Sequence, residues 1–171
     1  SAQALPAPPA QYADFAVWER RLLDPQTQSP HLDFWRKQLA DLPVLQLPTD
    51  AVRPKQAGFR GARHPVHIDA RTTERLSALA KAQGATLYTT LVAGLAALLH
   101  RYTGQSDLPI AGVVSAQQQH PELAGLIGPF VNTLVLRIDL TQSPSMQELI
   151  GRVRDTLLAS LSHSSIPFQK L

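Results

Sequence analysis

Cysteine is absent from this 171-residue sequence, which excludes disulfides, thiolate metal sites and a cysteine nucleophile. A strong charge of either sign is also missing. The formal net charge is +3, and the sixteen basic residues stand singly or in short pairs such as Arg20-Arg21 and Arg36-Lys37. The pI of about 9.6 invites a nucleic-acid reading, but so small a surplus forms no contiguous phosphate footprint, and no nucleic-acid partner is expected. Long apolar runs are lacking too. The longest, Leu91 to Leu99, is far short of the roughly 20 residues a membrane helix needs. The start, Ser1 to Pro6, has neither a basic region nor an apolar run, so no signal peptide, no membrane partner and a cytoplasmic location are expected.

Catalytic motifs are scarce. The sequence holds no GxxxxGK[ST] phosphate loop, no GxGxxG and no GxSxG nucleophile elbow. The six histidines, at 31, 64, 67, 100, 120 and 163, are never adjacent, and none has an acid four residues on. His64 and His67 fall on an expected strand whose alternation points them to opposite faces, so no metal site is expected. Asp107, Glu122, Asp139 and Glu148 are dispersed, and no general acid/base pair can be read from them.

What remains is an ordinary folding composition, 44% hydrophobic and 17% charged, of a size that suits one compact unit. Residues 1–10, with three prolines and four alanines, read as a stiff extended leader, and residues 11–171 as the folded part. Tyr12, Phe15, Trp18 and Leu22 predict a helix ended by Asp24-Pro25, and Leu32, Trp35 and Leu39 predict a second over 31–39. The proline-rich stretch 43–61 reads as loop, and 63–69 as a short edge strand. Thr72 or Thr73 is expected to cap a helix closed by Gly84, and Thr86 the next, whose stripe Leu87, Leu91, Leu95, Leu98 and Leu99 is expected to be the most buried helical face.

Leu108 to Val114 predicts a strand covered on both faces. Phe130 to Leu140 predicts a second strand, with Asn132, Leu134, Leu136 and Ile138 on one side. Met146, Leu149, Ile150, Val153, Leu157 and Leu161 form the stripe of a last helix. An α/β layer arrangement follows. Asn132, an amide in an apolar strand, must find partners or cost about 1–3 kcal/mol, which predicts a bridging role for it. The aromatic stripe of Tyr12, Phe15 and Trp18 reads as packing, Arg137 as a strand-end charge, and His163 as a solvated or capping side chain.

Three segments together resemble the condensation domains of nonribosomal peptide synthetases. Tyr12 to Trp18 is similar to that family's YxDFAxW element, with Tyr12, Asp14 and Trp18 in register. Ile127 to Arg137 is similar to its IGxFVNTxxxR strand, through Gly128, Phe130, Asn132, Thr133 and Arg137. His163 to Leu171 is similar to its HxDxPFExL helix start, through His163, Pro167 and Phe168. Weaker likeness at Phe34-Trp35, Leu47 to Asp50 and Leu99 to Gln105 fills the intervals.

The resemblance implies a chloramphenicol-acetyltransferase-like half-domain, with a mixed central sheet and flanking helices, that supplies one wall of a tunnel between two lobes. It also implies amide-bond formation between thioesters carried on the phosphopantetheine of carrier proteins, no directly bound cofactor and no catalytic residue in this chain. The family's HHxxxDG motif, whose second histidine is associated with attack of the acceptor amine on the donor thioester, does not occur here, nor does its SRNP-containing region. The sequence therefore reads as the C-terminal lobe, inactive alone, with Ser1-Ala2 an artificial end. Expected partners are the N-terminal lobe, peptidyl and aminoacyl carrier proteins, an adenylation domain, and a second copy through exposed lobe surface. Ser164, Ser165 and Gln169 depart from the family's residues, as does Ser115-Ala116-Gln117 from a run ending in Arg, which leaves the substrate classes open. The rival readings are another acyltransferase or epimerase of the superfamily, a noncatalytic carrier- or domain-interaction module, and an unrelated α/β protein.

Overall fold

A computed structural model describes residues 10–22, 25–52, 58, 61–118 and 120–171, so the expected leader, Ala10 apart, lies outside the described residues. Helices α1 (Tyr12–Leu22), α2 (Pro25–Leu39), α3 (Ala70–Ala82), α4 (Leu87–Thr103) and α5 (Met146–Ser162) accompany strands β1 (Asp107–Ser115) and β2 (Val131–Asp139). The fold is mixed α/β, as the pattern of periods predicts. β1 and β2 pair antiparallel, with Ala116 N donating to Phe130 O and Leu140 N to Ser106 O at the two ends of the ladder. No single helix among the described residues is long and apolar enough to cross a membrane.

The chain forms two compact units whose boundaries fall inside β1, β2 and α5. The first comprises Ser1–Leu42, Ile110–Leu136 and Leu158–Leu171. Its main core gathers Trp35, Leu134, Val135 and Ile166, with Phe34, Val114 and Leu161 against them, and a second cluster joins Phe15, Leu126 and Phe130. On β2, Leu134, Val135 and Leu136 are all buried, so both faces are covered there, and the alternation read from the sequence does not sort them into an inner and an outer side. Helix α2 begins at Pro25, earlier than the predicted 31, because proline is tolerated at a first helical position, where its missing N–H costs no hydrogen bond.

The second unit, Pro43–Pro109 and Arg137–Leu157, holds α3, α4 and most of α5. Three expectations change here. Residues 61–69 join no ladder among the described residues; Pro65 has no amide proton to donate to one. The cap of α3 is Asp69, not Thr72 or Thr73: its carboxylate accepts from Thr72 N and Thr72 Oγ1, each at 2.8 Å. On α4, capped by Thr86 as expected, the buried residues are Thr89, Thr90, Val92, Ala93 and Ala96, while Leu91, Leu95 and Leu98 are 42%, 44% and 52% exposed. The helix is apolar nearly all round, and its small residues, which let a neighbour approach closely, turned inward in place of the leucines.

β1 also departs from the expectation of cover on both faces, with Val113 72% exposed while Leu108 is buried. Met146 of the α5 stripe is likewise exposed, whereas Leu149, Ile150 and Val153 are buried. Gly84 and Gly104 close α3 and α4 at φ of +58° and +70°, left-handed values that a side chain rarely adopts.

Candidate functional site

In the first unit the three sequence segments meet. Helix α1 starts with a reciprocal clasp: Gln11 N donates to Asp14 Oδ2 at 2.8 Å while Asp14 N donates to Gln11 O at 3.0 Å. Asp14 therefore acts on the helix start, and the clasp sets the angle of the aromatic residues that follow. Phe15 is buried against Phe130, ring centroids 4.8 Å apart, and Tyr12 meets the same ring edge-on at 5.2 Å. Trp18, 40% exposed, stands edge-on to His120 at 5.0 Å. Gly128 is required by this contact, because a Cβ there would run into the Tyr12 ring.

Asn132 ties β2 to the segment after α5. Its Nδ2 donates to Ser164 O and Ile166 O, both at 2.8 Å, and its Oδ1 accepts from Thr133 N at 2.8 Å and Phe168 N at 3.0 Å. Both amide protons and the oxygen are thereby engaged, and the side chain fixes the path through Pro167 and Phe168. The bridge reaches a loop, where the sequence pattern leads one to expect another strand or lobe. Thr133 takes part through its backbone.

His163 is neither freely solvated nor a simple cap. Its ring stacks on Phe34 at 4.1 Å with the planes 10° apart, its Nδ1 lies 2.9 Å from His31 Nδ1, and its carbonyl accepts from the buried Trp35 Nε1 at 2.9 Å. A hydrogen bond between two imidazole nitrogens needs one donor and one acceptor. Burial, and then the neighbouring His31, hold the His163 imidazole below its ordinary pKa. Arg137 falls in the second unit, where its guanidinium forms a fork on Asp107, with Nε 3.0 Å from Oδ1 and Nη2 2.7 Å from Oδ2.

A cavity of about 310 Å³ opens among these segments of the first unit, its wall including Tyr12, Trp18, Phe130, Asn132, Ser165 and Pro167. Two residues that sequence reasoning passed over line it as well, Glu19 and His120. The Glu19 carboxyl is pushed up from its usual pKa by burial. His120 Nδ1 lies 3.2 Å from Glu122 Oε1. A third unforeseen residue, Gln117, donates through Nε2 to Leu123 O and Leu126 O and so holds the turn before Gly128. Nothing in the periodicity marks Gln117 or His120; Glu19 leaves a trace, as a charge four residues after Phe15 on an apolar helical face. Among the described residues no three His, Asp or Glu side chains converge as a metal site. The cavity wall carries aromatic rings, one carboxylate, one imidazole and the Asn132 amide, a surface suited to recognition.

The family model described as Condensation domain matches residues 1–171. The chain is 43% identical over 164 residues to a linear gramicidin synthase of Brevibacillus parabrevis, covering 95% of this chain and 3% of that protein. It is 44% identical over 171 residues to a phosphinothricin tripeptide synthetase of Streptomyces viridochromogenes, covering 99% of this chain and 14% of that one. Among solved structures, the complex of the X-domain and OxyB from teicoplanin biosynthesis matches with a TM-score of 0.90 at 31% identity, over 98% of this chain and 38% of the other. The chain thus spans a small part of the length of the relatives it matches. It belongs to the condensation-domain family.

Proposed function

We propose that this chain is the C-terminal lobe of a condensation domain that joins two carrier-tethered thioesters through an amide bond, shaping the passage in which acceptor and donor meet. The observation that carries the reading is Asn132: a single side chain locks the IGxFVNT-like strand to the HxDxPF-like segment, beside the YxDFAxW-like helix, so the three motifs form one wall. The imidazole that assists acceptor attack is assigned to an HHxxxDG motif, which this sequence does not contain. Its partners in this reading are an N-terminal lobe, carrier proteins that present substrates on phosphopantetheine, and an adjacent adenylation domain.

The test supplies the purified chain with donor and acceptor loaded on carrier proteins, alone and joined in one polypeptide to an HHxxxDG-containing N-terminal lobe. No amide product is expected from the chain alone and product from the joined protein, with a loss of at least tenfold in Asn132→Ala. Turnover by the chain alone would refute this assignment of roles. A second reading, a noncatalytic docking module, is favoured by the likeness to an X-domain found in complex with OxyB. Tight binding of a partner domain by a joined protein that forms no amide would select it.

A further inference from the structure

We infer that His31 and His163 form a two-imidazole binding site for a divalent transition-metal ion of octahedral or square-planar habit, such as Ni2+, which clips helix α2 to the segment that follows α5. The inference goes beyond the proposed reaction and does not depend on it.

The two rings stand 132 positions apart in the chain, on α2 and just past the end of α5, and both belong to the first unit. Their Nδ1 atoms lie 2.9 Å apart, with the ring planes at 71° to each other. His163 is held from two sides: its ring stacks on Phe34, and its carbonyl accepts from Trp35 Nε1. The same segment is tied to β2, where Asn132 Nδ2 donates to Ser164 O and Ile166 O. One imidazole of the pair is thus positioned in advance, and little freedom remains to be lost when an ion binds. Both histidines are only half-buried, which leaves solvent able to supply further ligands.

The spacing selects the ion. Imidazole nitrogen suits zinc, copper and nickel, with metal–nitrogen bonds of about 2.0–2.1 Å. Two such bonds at a right angle put their nitrogens about 2.9 Å apart, the separation already present, whereas a tetrahedral angle would spread them to about 3.3–3.4 Å. The pair therefore matches the cis edge of an octahedral or square-planar ion better than it matches tetrahedral zinc. Mg2+, which takes oxygen ligands, is selected against. Without metal, one Nδ1 carries the proton that the other accepts. An ion takes that place once each ring turns on its Cβ–Cγ bond, and the displaced proton passes through solvent to Nε2 of the same ring, so both imidazoles stay neutral.

The full 171-residue chain is titrated with NiCl2, and in parallel with MgCl2, while the histidine ring resonances are followed. Saturable binding of Ni2+ is expected, with the His31 and His163 signals and the neighbouring Trp35 indole N–H the first to broaden, and no response to Mg2+. His31→Ala should weaken Ni2+ binding at least tenfold, and the double variant His64→Ala, His67→Ala, which removes an exposed pair three residues apart, should leave it unchanged. His163→Ala also strips the stack on Phe34, so a second measurement replaces it: the thermal unfolding midpoint should rise with Ni2+ in the unaltered chain and stay fixed in His31→Ala. Broadening that begins at another histidine, binding in His31→Ala as tight as in the unaltered chain, an equal response to Mg2+ or an unmoved midpoint would overturn the site.

Discussion

Asn132 makes four hydrogen bonds with one side chain, two as donor and two as acceptor. Replacing it with alanine leaves two carbonyls and two amide protons to find water or go unpaired. With each unsatisfied buried group costing about 1–3 kcal/mol and some rescued by solvent, Asn132→Ala is expected to lower stability by about 2–4 kcal/mol, measured by urea unfolding. Asn132→Asp keeps the two acceptor bonds and loses both donors, so it should also destabilise. The histidine pair makes a second prediction at this scale. The folded-state pKa of His163 lies below its unfolded value, so well above the ordinary histidine range both states are unprotonated there and the group contributes nothing. As the pH falls through the ordinary histidine range the unfolded chain binds the proton first, and stability must drop. Unfolding midpoints taken at descending pH should show this fall, and His163→Gln should flatten it.

Among the elements, the helix ends were easier to foresee than the helix faces. Thr86 and Gly84 cap or close helices as the sequence suggests, because local chemistry demands it there, and a few residues suffice to see why. The cap of α3 escaped because Asp69 stands at the end of a stretch that alternates like a strand, and alternation there has no partner to make it one. Asp69→Ala should lower stability by removing the cap, with the loss seen as earlier thermal unfolding; Thr73→Ala should cost less. On α4 the periodicity shows two apolar faces and cannot rank them, since the deciding quantity is how closely a neighbour can approach Ala93 and Ala96. The candidate site divides in the same way. Its aromatic and amide residues stand in recognisable motifs, whereas Glu19 and His120 share the cavity wall only because folding brings α1 and the segment after β1 together, and Gln117 acts on a turn six and nine residues further on that no period announces.

For the molecule as a whole, the exposed stripe of α4 matters most. Tyr88, Leu91, Leu95, Leu98 and Tyr102 follow one another at helical spacing, and the last is 67% exposed. Apolar surface gathered in this way favours association. We expect the isolated chain to form dimers or larger species as its concentration rises, seen by light scattering, and a Leu95→Glu, Leu98→Glu double variant to stay monomeric. A monomer at all concentrations would count against self-association through this face.

The fit of Gly128 beneath Tyr12 has a consequence for how the sequence can vary. Two distant stretches of chain share one volume, so neither residue can change freely without the other. An alanine at 128 should be harmful beside tyrosine and tolerated beside a smaller partner such as Tyr12→Ser, a rescue that a double-mutant cycle would register as coupling between the two positions. Where such a cycle shows none, the two stretches are free to vary independently, and their company in this fold is a matter of neighbourhood alone.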